Sequence, residues 1–118
     1  MDVSTVLRNE LGKIVYTDEV IAMIAGHSAM ECYGVVGMTP TKSNNNIPTL
    51  LKKDQADKGI KVTSKNGNID IDIYVVIEYG TSIAAVATNI IDTVKYAVHH
   101  LLGLQVNKIE VHVTNIGI

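Results

Sequence analysis

Between Ile69 and Leu102 the hydrophobic pattern changes period. Ile69, Ile71 and Ile73 alternate with Asp70 and Asp72, which sets isoleucines on one face of a strand and carboxylates on the other. Tyr74, Val75, Val76 and Ile77 then run without a polar break, the pattern of a strand covered on both faces or central in its sheet. Gly80 ends it. From Thr81 or Ser82, either a competent N-cap, the spacing becomes helical, with Ile83, Val86, Ala87, Ile90, Val94, Ala97, Val98 and Leu101 on one stripe. Asn89, Asp92, Lys95, Tyr96 and His99 face away. Roughly eight apolar side chains at ~1.5–3 kcal/mol for each large one give a gross burial contribution above ~10 kcal/mol. That exceeds a surface role even after conformational entropy offsets most of it, so this helix belongs to the core.

The rest of the chain divides by the same criteria. Residues 1–10 show no period and read as a loose arm, followed by a short strand from Leu11 to Tyr16. Thr17 offers an N-cap, and Asp18 and Glu19 complement the dipole of a helix running to about Cys32. Its apolar positions are Val20, Ile21, Ile24, Ala25, Ala29 and Cys32. Gly26 within it costs up to about 1 kcal/mol against Ala, which implies close approach to a neighbouring backbone. Tyr33 and Gly34 close the helix, and Val35 to Met38 reads as a strand. Residues 39–49, rich in Thr, Ser, Asn and Pro, read as a flexible, exposed loop, with a brief helix from Leu50 to Asp57 capped by Thr49. Ile60 to Ser64 is a strand, and Asn66-Gly67 is a strong type I′ hairpin signal. Gly103 supplies a C-cap, and Val106 to Ile116 forms the last strand, with Ile109, Val111 and Val113 alternating with Lys108, Glu110 and His112.

The expected fold is α+β: a small mixed β-sheet with two main helices packed on it, in the order strand, helix, strand, short helix, strand, strand, helix, strand. One domain over residues 1–118 accommodates all of it. Composition narrows the function. Hydrophobic residues make up 47% and charged residues 19%, which argues against disorder. A net charge of -2 provides no global field for nucleic acid or an anionic membrane. Phe and Trp are absent, so base-stacking platforms and bulky interface anchors reduce to five tyrosines. A single cysteine excludes an internal disulfide and multi-cysteine zinc sites, and fits a reducing compartment. The N-terminal stretch lacks signal-peptide patterning, and no apolar run reaches the roughly 18–20 residues of a membrane span, so a cytoplasmic protein is expected.

The chemistry-bearing residues form no evident reaction centre. Asp70, Asp72 and Glu78 at even spacing read as a solvated strand face rather than a cation site, because like charges at i, i+2 repel. His99-His100 are adjacent on a helix and point apart. Glu110 and His112 share a strand face and would need a third ligand to hold a metal. His27 and Cys32 are five apart, off helical register, so Cys32 reads as a small buried side chain rather than a catalytic thiol. Thr81-Ser82 is a cap without a nucleophile elbow around it. Gly34-Val35-Val36-Gly37 matches the GxxG of KH domains, but its centre lacks Lys or Arg. Lys52, Lys53, Lys58, Lys61 and Lys65 are interleaved with Asp54 and Asp57 and read as a wet face. No catalytic, metal or cofactor residues are assigned.

The blocks LGKIVYTDEVIAMIAGHSAMECYGVVGM, KGIKV, IDIDIYVVIEYGTSIAAVATNI and GLQVNKIEVHV together resemble the alkaline shock protein family of Gram-positive bacteria, particularly its YloU-like branch. The likeness covers nearly the whole chain, with a departure at Thr39 to Pro48. It implies a non-enzymatic interaction or scaffolding protein of a cell envelope or alkaline stress response. It also implies self-association, or a protein partner such as a membrane anchor protein, and no cofactor. Tyr33, Gly34, Gly37, Met38, Tyr79 and Gly80 lie in the matching blocks and are the expected interaction positions. The alternative is an RNA-binding module of KH-like type, carried by GxxG and the lysine-bearing segment; a metal-dependent or thiol enzyme ranks third.

Overall fold

The computed structural model describes residues 4–41, 50–51 and 53–117. The fold is α+β and is organised around one strand. Strand β5 (Asn68–Glu78) carries three neighbours: β4 (Ile60–Lys65) and β3 (Val35–Met38) lie antiparallel, one alongside each half of β5, and β6 (Lys108–Gly117) lies parallel to it. Helices α1 (Asp18–Met30) and α2 (Ile83–Leu102) supply the apolar cover. From β2 (Gly12–Thr17) onward the element order is the one the periodicity predicts.

The alternation of β5 sorts its side chains as expected. Ile69, Ile71, Ile73, Val75 and Ile77 are all buried in the core, whereas Asp70, Asp72 and Tyr74 lie on the wetter side. Val76 is buried as well, and this is where the pattern of a doubly covered strand holds. Against the isoleucine face α2 lays Val86, Ile90, Val94, Val98 and Leu102, a row at strict i+4 spacing that makes one ridge on the helix. The expected stripe placed Leu101 inside; Leu101 is exposed and Leu102 takes its place, because the i+4 row precesses around the helix. Ser82 is the N-cap, accepting from the Ala85 N–H, and Gly103 closes the helix in the left-handed conformation at φ 73°.

Helix α1 starts at the Thr17 cap, ends at Met30 rather than Cys32, and buries Ile21, Ala22, Ala25, Gly26 and Ala29. Val20, expected inside, is exposed, and Ala22 is buried instead. Gly26 meets the expected neighbouring backbone. A Cβ built there would lie 2.8 Å from the carbonyl carbon and oxygen of Ala56, in a 3-10 segment spanning Lys53–Gly59. This segment replaces the expected helix from Leu50 to Asp57; Thr49, its expected cap, and most of the expected loop (residues 42–49) lie outside the described residues. Thr39, at the loop's start, is buried rather than exposed, with its backbone N–H donating to the Tyr74 carbonyl.

The N-terminal segment corrects the expected loose arm. Ser4–Asn9 form strand β1, which pairs antiparallel with β2 from Ser4↔Thr17 to Asn9↔Gly12. The connecting turn carries an Asx bond in which the Leu11 N–H donates to the Asn9 side chain at 2.8 Å. Leu11 at the tip is 99% exposed. At its base the hairpin is tied down by Tyr16, whose hydroxyl donates to the Leu102 carbonyl at 2.9 Å, and by Thr5 Oγ1, 3.0 Å from Ser64 Oγ. No helix among the described residues is long and apolar enough to cross a membrane.

Candidate functional site

The C-terminal end of β5 gathers the residues that the sequence blocks singled out. Beyond Glu78 the chain turns through Tyr79 and Gly80, which has φ 91°, a conformation glycine adopts without steric penalty. The turn is tied on both sides. The Tyr79 N–H donates to the Gly117 carbonyl, the Glu78 N–H donates to the Gly34 carbonyl at 2.8 Å, and the Thr81 hydroxyl donates to the Glu78 carbonyl at 2.7 Å. The exit of α1, the end of β6 and the start of α2 therefore meet at one place.

Two tyrosines stand out of this junction, Tyr33 at 79% and Tyr79 at 74% exposure. Tyr33 lines a hollow of about 430 Å³ whose other walls are Gly80, Thr81, Ser82, Ala85, Val86 and Asn89. Val36 and Ile116, both exposed, belong to the same end of the sheet, since Val35 and Ile116 each pair with Ile77. An apolar, tyrosine-bearing end of this kind suits protein recognition: a phenol offers a large rigid contact area with one polar tip.

The other three expected interaction residues sit beneath this surface. Gly34 is buried with φ 85°, and a Cβ there would lie 2.6 Å from Val86 Cγ2. Gly37 is covered by Leu50, and Met38 is fully buried in the core. These residues pack the scaffold from which Tyr33 and Tyr79 project. The burial also removes the geometry for a KH-like clamp, since a glycine loop gripping a phosphate backbone has to be open to solvent. On β4, Lys61 lies opposite Asp72 and Lys65 opposite neutral Asn68, so acid and base mix across the strand pair at the first of these positions.

The remaining candidates are dispersed, with one exception. His27 is exposed on α1, and Cys32 is buried with its thiol directed to the Ser28 carbonyl at 3.4 Å. His99 and His100 are exposed near the end of α2, where His100 stacks on Tyr96 at 5.3 Å. Glu78 is exposed at the end of β5. Glu110 and His112, by contrast, find a third neighbour in Asp72, which the parallel pairing of β5 and β6 brings from 40 residues away. Sequence spacing contains no sign of that pairing. Lys108 lies 2.6 Å from Glu110, whose hydrogen bond and charge raise the lysine pKa above its ordinary value.

A family model for the alkaline shock proteins, described as having a "cell envelope-related function", matches residues 6–118. The chain is 36% identical over 113 residues to the uncharacterized protein YloU of Bacillus subtilis, covering 95% of this chain and 94% of that one. It is 39% identical over 108 residues to the uncharacterized protein Spy1614 of Streptococcus pyogenes, covering 91% and 89%. It is 32% identical over 106 residues to the uncharacterized protein YqhY of Bacillus subtilis, covering 90% and 78%. No solved structure matches significantly.

Proposed function

Since this chain belongs to the alkaline shock protein family, whose function is related to the cell envelope, we propose that it acts there as a non-enzymatic interaction or scaffolding protein. Its partner is a protein, either a membrane anchor protein or a second copy of this chain, and it serves from the cytoplasmic side in an envelope or alkaline stress response. The observation that carries this reading is the pair of exposed tyrosines at the end of β5: Tyr33, which lines the hollow beside Gly80, and Tyr79, which precedes Gly80 in the turn. Two exposed tyrosines, at an end of the sheet where Val36 and Ile116 are exposed as well, make a surface that gains from being covered. Gly34 contributes from below by accepting the Glu78 N–H at the turn, and Gly37 and Met38 by pairing with Val76 and Val75 beneath it.

A photo-crosslinking side chain placed at position 33 or 79, with position 96 as an exposed tyrosine control, tests this in cells. Protein adducts from positions 33 and 79 that are absent at 96, and that disappear on Tyr79→Arg in the position-33 variant, support it. Light scattering over a concentration series separates a second copy from a different partner. Adducts no stronger than those at position 96 overturn it, and so does RNA recovered in place of protein.

A further inference from the structure

The wet face of the sheet holds a second constellation, independent of the tyrosine end. Strands β5 and β6 run parallel with Asp72 opposite Glu110 and Tyr74 opposite His112, so all four side chains stand on one face in two adjacent rows. The imidazole of His112 lies against the Tyr74 ring, with centroids 4.5 Å apart and planes 11° from parallel. This stacking fixes the ring so that Nε2 lies 2.9 Å from Asp72 Oδ1 and 3.8 Å from Glu110 Oε2. One ligand atom from each of the three residues falls within 4.8 Å of the others.

The His112–Asp72 contact is itself a hydrogen bond, and a small ion taking the place of its proton would find the three ligand atoms already within reach. With bonds of ~2.0–2.2 Å, a tetrahedral centre holds its ligand atoms about 3.3 Å apart, a distance the observed 2.9 and 3.8 Å bracket. Lys108 engages Oε1 of Glu110, which leaves Oε2 as the oxygen turned to His112. Two carboxylates balance a divalent charge, against the opposing charges of Lys108 on Glu110 and of Lys61 across the ladder from Asp72. The imidazole favours a borderline transition ion over magnesium or calcium, which prefer all-oxygen sets. The backbone positions are preset by the ladder, so only side-chain rotations of the partly exposed carboxylates are needed to close on the ion. Asp72 and Glu110 also border a recess of about 120 Å³, with Thr63, Asp70, Ile71 and Lys108 as its other walls, so two of the three residues face a space open to water.

We propose that Asp72, Glu110 and His112 bind one divalent transition ion of the zinc class on the open face of the sheet, with Tyr74 positioning the histidine ring.

Calorimetric titration of the metal-free, tag-free full chain with Zn²⁺ alone tests this. The expected result is one ion per chain, with His112→Gln and Asp72→Asn each weakening binding about tenfold or more. His99→Gln with His100→Gln leaves it unchanged, and Lys108→Gln tightens it by removing a neighbouring positive charge. Visible absorption of added Co²⁺ reports nitrogen and oxygen ligation in the unaltered chain, so the result does not depend on any variant folding. No uptake at Zn²⁺ concentrations up to about 1 mM overturns the proposal. So does uptake that survives His112→Gln and Asp72→Asn, or that the His99 and His100 changes abolish.

Discussion

Gly26→Ala is a sharp test of the packing, because two effects of known size oppose each other there. In an exposed helix interior Ala stabilises over Gly by about 0.8–1 kcal/mol. At position 26 the new methyl would sit 2.8 Å from both the carbonyl carbon and oxygen of Ala56, and 3.0 Å from its Cβ. Two of those three atoms are backbone, which cannot rotate away, so α1 or the 3-10 segment must move; overpacking of this kind costs about 1–3 kcal/mol. With a backbone contact this close the steric cost outweighs the gain in helix propensity, and the variant is expected to lose up to about 2 kcal/mol, lowering the thermal midpoint by up to about 10 °C in a chain of this size. Adding Ala56→Gly removes only the 3.0 Å contact, so rescue is partial. His27→Ala, an exposed neighbour, serves as the control and stays within about ±0.5 kcal/mol. Paired thermal and denaturant unfolding reads all three. A Gly26→Ala midpoint above that of the unaltered chain would refute the close approach, and with it the reason given for glycine at this position.

Two other contacts are open to direct test. Tyr16→Phe removes the hydroxyl that donates to the Leu102 carbonyl, so it should cost about 0.5–1.5 kcal/mol and speed amide exchange in β1 and β2 more than in β5; equal acceleration everywhere would contradict a local tie. Lys108 has its pKa raised in the fold, first by its hydrogen bond to Glu110 and then by the charge of the same residue. A raised pKa means that the lysine's contribution is complete below its ordinary 10.5 and is lost as pH climbs through the higher folded value. Any stability advantage of the unaltered chain over Lys108→Gln should therefore persist up to about pH 10 and fade above it, as unfolding curves across alkaline pH would show; an advantage that grows with pH is the contrary result.

Local patterns wrote much of the fold into the chain: the alternation of Ile69, Ile71 and Ile73, the caps Thr17, Ser82 and Gly103, and the Asn66-Gly67 turn, where the φ values are 53° and 80°. Each depends on residues a few positions apart, and steric and hydrogen-bonding preferences act at that range. Strand β1 has no local signature: its hairpin is wet on much of its surface, Ser4–Asn9 carry no hydrophobic alternation, and its turn uses an Asn9 side-chain bond instead of an Asn-Gly pair. At the tyrosine end, the sequence blocks pointed to six positions, and only tertiary packing, with Val86 over Gly34, Leu50 over Gly37 and Met38 in the core, separated these three from exposed Tyr33, Tyr79 and Gly80.

The sequence by itself determined that β5 presents one apolar and one acidic face and that an amphipathic helix follows to cover the first, because side-chain period and burial are properties of a single segment. Only the tertiary structure decided what stands beside the acidic face. The register that sets Asp72 opposite Glu110, with His112 within hydrogen-bonding distance, is fixed by the joint packing of β5, α2 and β6, and shifting β6 by one residue would turn its side chains to the opposite face.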